Sequence, residues 1–266
     1  MKVEALIIYP IKSLQGIKVP KAKILEKGFQ YDRRWMLVDE NGKFITQRKH
    51  PLLSHFLVTI INDQIEVNHP SKGSILIPLI LQQTNEEEVT IWDDSTIGYA
   101  AAKEINIWFT EAIGMKCSLV FMPENGKRQV DPSHVNIETT VSFADGYPYL
   151  ILGQSSMEDL NSKMVTPLPI DRFRPNIIFS GGIPYEEDQW NSLKIGNVDF
   201  QGIKPCVRCV FTTIDQTTGK LGKEPLKTLN TYRKVGNGVI FGLNAIPLST
   251  GTIRRGDVIV VKSKRN

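Results

Sequence analysis

Short apolar runs with a period of two, each cut off by a turn-forming cluster, fill most of this chain and leave little room for helices. Residues 3–9 alternate weakly, residues 34–46 read as two strands around the turn DENGK, and residues 56–67 read as a second pair around INDQ. Residues 74–80 and 88–92 continue the strand pattern. The stretch GYAAAKEINIWFTEAIG then changes period: Ala101, Ile105, Trp108 and Ile113 recur at near-helical spacing, and Gly114 suits a helix stop. Beyond a polar, proline-bearing stretch at 122–133, SSMEDLNSKM offers a capping box from Ser155 to Glu158 and a second amphipathic helix. Strands are predicted again at 176–180, at 192–203 around a Gly196–Asn197 turn, at 210–214 and at 252–261. No repeat or low-complexity linker intervenes. The pattern predicts a mainly β fold with α insertions, an α+β chain of two β-barrel-like domains packed tightly together, residues 1–120 and 121–266.

A length of 266 residues and an apolar fraction of 41% suffice for a buried core. The 32 Lys and Arg exceed the 28 Asp and Glu by only four, too evenly spread for a nucleic-acid groove but suited to an anionic small molecule. No nucleic-acid partner is expected. The N-terminal MKVEALIIYPIKS lacks the pattern of a secretory signal, and no stretch is long and apolar enough to span a bilayer. A cytoplasmic location without a membrane is the expectation.

Two of the three cysteines lie together in GIKPCVRCVFTTID, as Cys206 and Cys209, and the third is Cys117. Three thiols make no disulfide framework. A zinc site needs two further ligands, and Cys117 with His50, His55, His69 and His134 forms no second spaced pair. Redox chemistry of a C-x-x-C requires it to open a helix, whereas VFTTID reads as a strand. Two small buried hydrophobes at a strand entry would be the plain alternative. Against it stands Arg208, next to Cys209, which would favour a thiolate able to bind a soft metal.

A cofactor that brings most of its own metal ligands needs one anchor atom and contacts for a charged tail. Four stretches suit the second task. YPIKSLQG sets Lys12 and Ser13 after a strand, where an ammonium and a hydroxyl can meet a phosphate. YDRRWMLVD begins with Arg33 and Arg34, and SFADGYPYLILG places Asp145 in a turn ahead of an apolar strand. DRFRPNIIFSGG groups Arg172, Arg174 and Asn176 around a proline. Singly, each has a structural alternative: solvated cations, a turn-initiating aspartate, or an arginine paired with a carboxylate.

Taken in order, these stretches resemble the MOSC-domain proteins, a family named for the C-terminal domain of molybdenum cofactor sulfurase, and within it the mitochondrial amidoxime reducing component and its bacterial relatives. The likeness covers nearly the whole chain. IIYPIKSLQGIKV and YDRRWMLVDENGKFITQRKHPLLS are similar to the family's N-terminal β-barrel domain, and the segments from VSFADGYPYLILG to GTIRRGDVIVV to its MOSC domain. The resemblance implies a molybdenum cofactor, Mo-molybdopterin, with Cys209 as the metal ligand and Cys206 at the first cysteine of the C-x-R-C motif. It implies cofactor contacts at Lys12, Ser13, Arg33, Arg174 and Asn176, and at Arg208 beside the ligand. Asp145, which begins the D-x-x-P turn, is implied to lie near the metal and to orient substrate or shuttle protons. Arg34 carries nothing over.

The implied activity is the reduction of N-hydroxylated compounds, hydroxylamines and amidoximes, to amines and amidines. With no further cysteines for a cluster, electrons are expected from a separate donor protein carrying flavin, haem or iron–sulfur. The rival reading is a carrier that passes on the cofactor, or a sulfur relay bearing a persulfide on Cys206 or Cys209.

Overall fold

The structure, a computed structural model, describes residues 1–80 and 85–265. Its spine is the hairpin of strands Trp190–Ile195 and Val198–Arg208, closed by the turn at Gly196, whose φ of 54° lies where glycine is unstrained. Leu193 and Ile195 on one strand and Val198 and Phe200 on the other point inward. They pack with Leu6, Tyr149, Ile151, Phe179 and Leu243 in the main core. Edge-to-face contacts order that core: Tyr149 meets Phe200 at 5.4 Å and Phe29 at 5.1 Å.

The nine-stranded sheet around this hairpin runs Ile259–Lys264, Trp190–Ile195, Val198–Arg208, Gly238–Pro247, Tyr149–Gly153, Ile177–Ser180, Lys2–Ile8, Ile17–Val19, with Lys234–Val235 alongside Gly238–Pro247. Tyr149–Gly153 and Ile177–Ser180 are parallel, so the chain crosses between them through helix Gln154–Ser162. The N-terminal segment is tied into the C-terminal half: Lys2–Ile8 pairs with Ile177–Ser180, and Lys21–Leu25 pairs with Gly251–Arg254.

A second core gathers Trp35, Leu37, Phe56, Ile65, Val67 and Leu119 beneath helix Lys103–Ile113. Ile105 and Phe109 of that helix are buried, and Gly114 ends it at φ 76°, as the sequence predicts. The predicted hairpin at 56–67 is present as Leu57–Ile61 and Gln64–His69, continued by Gly73–Pro78. No helix among the described residues is long and apolar enough to cross a membrane.

Four expectations are corrected. Residues 210–213 form a 3-10 turn rather than a strand, because the Thr212 and Thr213 hydroxyls donate to the carbonyls of Cys209 and Val210 and curl the chain back. Residues 252–261 split into Gly251–Arg254 and Ile259–Lys264, which join different sheets around Gly256 at φ 92°. In 34–46 only Trp35–Val38 is a full strand; the return arm shrinks to a bridge between Val38 and Phe44. The capping box is absent. Helix Gln154–Ser162 starts after Gly153, and its first turn is capped from a distance by buried Glu187, which accepts from the Gly153 N–H (3.1 Å) and the Ser156 hydroxyl (2.8 Å).

The register of Val198–Arg208 against Gly238–Pro247 slips twice, after Gly202 and after Pro205. These bulges bend the strand and re-aim its last residues. Gly202 makes the first bend feasible: a Cβ there would lie 2.3 Å from the Trp190 carbonyl oxygen. Gly202→Ala is therefore expected to lower stability by about 1–3 kcal/mol through forced displacement of the hairpin, read as a lower denaturation midpoint with an unchanged m-value.

Candidate functional site

The bent end of that strand opens onto a cavity of about 330 Å³, in the range of small-molecule sites. Lys12, Ser13, Arg33, Asp145, Arg174, Asn176, Arg208 and Cys209, all singled out in the sequence, line it together with Cys206.

The floor is built where strand Lys2–Ile8 ends. The Tyr9 N–H donates to the Asp32 carboxylate at 2.8 Å, and Arg33 Nη1 donates to the other oxygen of Asp32 at 2.5 Å. Asp32 is fully buried; burial pushes its carboxyl up, and Arg33 and the Tyr9 N–H oppose that. Both arginines rest on the Tyr9 ring, Arg33 at 4.2 Å and Arg174 at 4.1 Å from its centroid. Burial lowers the Arg174 guanidinium to about 10. Asn176 is 1% exposed: its Oδ1 accepts from Arg33 (2.9 Å) and the Leu150 N–H, and its Nδ2 donates one bond, to the Ile7 carbonyl. It holds Arg33 in place.

Ser13, Arg33 and Arg174 all have left-handed backbones, at φ 70°, 48° and 52°. Ser13 is fixed by Gln47, which donates to its carbonyl at 2.6 Å, and by Arg174 Nη1, which donates to the Leu14 carbonyl at 2.6 Å. Strained backbone concentrated in one cavity marks a place where side-chain direction outweighs local comfort.

Across the cavity, Lys12 Nζ donates to the Phe143 carbonyl (2.7 Å) and to Asp145 Oδ1 (2.5 Å). Burial lowers the Lys12 ammonium to about 8, against the pull of Asp145. Asp145 is pushed up by loss of solvation, yet Lys12 and Arg48 hold its carboxyl well below the usual range. Buried Arg128 donates to the carbonyls of Ser142, Ala144 and Asp145 and fixes this loop from behind. Arg34 faces away, pairing with Glu124 and the Met122 carbonyl, and Arg172 pairs with Asp215 at 2.7 Å, so both are structural.

One expectation about the cysteines changes. Arg208 does not serve Cys209: its Nη1 donates to Cys206 Sγ at 2.9 Å and its Nη2 to the Phe173 carbonyl at 2.7 Å. Those two bonds hold the Arg208 guanidinium on Cys206 and the Phe173 carbonyl, although Arg208 and Cys209 line the same cavity. The cation beside Cys209 is Arg48, whose Nη1 lies 3.9 Å from the sulfur and 3.4 Å from Asp145 Oδ2. Arg48 belongs to TQRKH, a stretch without strand or helix signal; its link to the site arises only when the loop folds back. Lys204, two residues before Cys206 in GIKPCVRC, is a further lining cation.

Six cations thus surround one carboxylate in the cavity wall, the setting for a phosphate-bearing ligand. Arg208 Nε and the Tyr147 hydroxyl, both on the wall and both buried, lack partners, as expected of atoms awaiting a ligand. Among the described residues no group of three or more His, Cys, Asp or Glu could hold a metal, so a metal at Cys209 must bring most of its own ligands. A pterin dithiolene does so, and these residues fit it.

The sequence pattern of the MOSC N-terminal beta barrel domain matches residues 1–116, and that of the MOSC domain residues 138–260. The chain is 33% identical over 270 residues to mitochondrial amidoxime-reducing component 1 of Mus musculus, covering 95% of this chain and 79% of that one. It is 32% identical to mitochondrial amidoxime reducing component 2 of Bos taurus, over 97% of this chain and 82% of the relative. It is 31% identical to molybdenum cofactor sulfurase of Oryza sativa subsp. japonica, over 90% of this chain but 32% of that longer protein. The chain belongs to the MOSC family, and its likeness to the mitochondrial amidoxime-reducing components extends over most of the length of both.

Proposed function

We propose that this chain anchors a molybdenum–pterin cofactor on Cys209 and reduces N-hydroxylated compounds, amidoximes and hydroxylamines, to amidines and amines. The observation that carries the reading is an exposed thiol at a cavity lined by six cations and a single carboxylate. The relatives named for amidoxime reduction supply the substrate class. The overall change cleaves an N–O bond and consumes two electrons and two protons, leaving the N–H product and water. A separate donor protein delivers the electrons. When bound, the cofactor supplies a metal that accepts oxygen in its reduced state.

The residues of the chain divide the remaining tasks. Arg33, Arg174 and Arg208 offer guanidinium donors to the cofactor's phosphate, with Lys12 and Ser13 at the other wall. Cys209 provides one soft ligand in fixed position. Asp145, anionic at neutral pH, accepts hydrogen bonds and so suits orientation of a substrate N–H; a carboxyl held that low is poorly matched to delivering protons. Lys12, near 8, is the better matched donor.

Two outcomes test this. Protein purified from a host that makes the cofactor is expected to contain equimolar molybdenum and pterin and to reduce an amidoxime with an artificial donor, and Cys209→Ala to lose both. Wild-type protein lacking molybdenum would sink the reading, whereas a loaded protein that ignores amidoximes but hands cofactor or sulfur to an acceptor would replace it with the carrier role. The second outcome concerns pH. Because the folded Lys12 titrates near 8 and the unfolded one near 10.5, the unfolded chain binds more protons between those values. The burial penalty of Lys12 is thus complete below pH 8 and relieved as pH rises to 10.5. Cofactor-free wild-type protein is expected to gain on Lys12→Met in denaturation midpoint across that window, and parallel curves would contradict the assignment.

A further inference from the structure

Arg48 was not among the candidate site residues, yet among the described residues its guanidinium reaches both Asp145 and Cys209. Its side chain is 14% exposed, and both contacts are long, so neither of them fixes its direction. That direction is set from the other side. The guanidinium carbon lies 4.3 Å from the centroid of Trp92 and 5.8 Å from that of Phe44. The two rings touch at 5.2 Å, and Lys12 Nζ sits 5.3 Å from Phe44. One aromatic pair therefore backs both cations that grip Asp145.

Trp92 occupies a position that argues against a merely structural part. With Asp93 it forms the two-residue loop between Glu86–Ile91 and Asp94–Ala100, closed by the pair Ile91 and Asp94. Its φ is 57°, in a loop type where glycine, asparagine or aspartate is usual. A bulky ring there is strained, and at 47% exposure it returns little burial. What it does gain is a face against Arg48.

We propose that Trp92 and Phe44 form a platform that positions Arg48, and that Arg48 in turn positions Asp145 and the Cys209 sulfur for the reaction. This role rests on the reductase reading above. Arg48 and Trp92 are positioning residues: the first acts through Asp145 and Cys209, the second through Arg48. A planar guanidinium suits the task, since it stacks on a ring while its edge donates to two acceptors.

The test uses Trp92→Gly, because glycine is the residue the loop favours and the fold should be kept, with a thermal midpoint equal to or above wild type. In cofactor-free protein, NMR is expected to show Arg48 side-chain protons displaced by the indole ring current, and Trp92→Gly to return them to ordinary positions. In loaded protein, Trp92→Gly is expected to lower kcat about tenfold at unchanged molybdenum content, and to alter the electron paramagnetic resonance spectrum of the half-reduced metal. Arg48→Met should do the same more strongly, and Arg48→Lys should recover part of the loss, keeping charge without the stack. Arg48 signals indifferent to Trp92→Gly would overturn the platform. Fully loaded Trp92→Gly and Arg48→Met with wild-type kcat, KM and spectrum would overturn the positioning role while leaving the reductase reading intact. A wild type without molybdenum would remove that reading and the role at the metal together, and the NMR arm would still report on the platform separately.

Discussion

A single buried carboxylate, Asp32, holds together the parts from which the cavity is made. Through the Tyr9 N–H it fixes the end of strand Lys2–Ile8, and through Arg33 Nη1 it sets the first of two guanidiniums on the Tyr9 ring. Arg33 then reaches Asn176 and the Arg174 carbonyl, so one ion pair reaches from the N-terminal loop to the start of strand Ile177–Ser180. Removing one partner of such a pair leaves a buried charge uncompensated, at about 3–5 kcal/mol. The left-handed backbones of Ser13, Arg33 and Arg174 persist because this network over-determines them.

The opposite wall solves a related problem in charge. Six cations crowded into one cavity repel each other, and the shifts at Lys12 and Arg174 record how poorly they are solvated there. Asp145 is the lining carboxylate that offsets them, and Arg128 clamps its loop through three carbonyls without entering the cavity. An anionic ligand would relieve the same repulsion, which makes binding and stability two aspects of one electrostatic arrangement.

Much of the site was legible in the sequence because its residues sit in short motifs at strand ends: YPIKS, DRR, FADG, RPN and CVRC all converge on one cavity. The fold class was legible for the same reason that β patterning is, its period of two. What the sequence hid was whatever depends on distant partners. Helix Gln154–Ser162 is capped by Glu187 rather than by its own serines, and residues 252–261 look continuous until two different sheets claim their halves. Arg48 reaches the site only through the folding of its loop, and the choice of Cys206 rather than adjacent Cys209 by Arg208 is fixed with the distant Phe173 carbonyl, which sequence adjacency does not reveal.

The two cysteines sit in different surroundings. Cys206 is half-buried, tied to Arg208, and lies on the bulged strand; Cys209 lies one residue past the strand, at the lip of a 3-10 turn, exposed. A sulfur already engaged by a guanidinium anchored to the Phe173 carbonyl is held in place but obstructed. A sulfur just beyond the last ladder hydrogen bond is open to a ligand, yet its backbone is fixed by the turn that the Thr212 hydroxyl closes onto its carbonyl. Two bulges bend the strand before it, and both sulfurs belong to residues that line the cavity. The difference in exposure between the two thiols therefore follows from where the strand ends and from the guanidinium that engages only one of them.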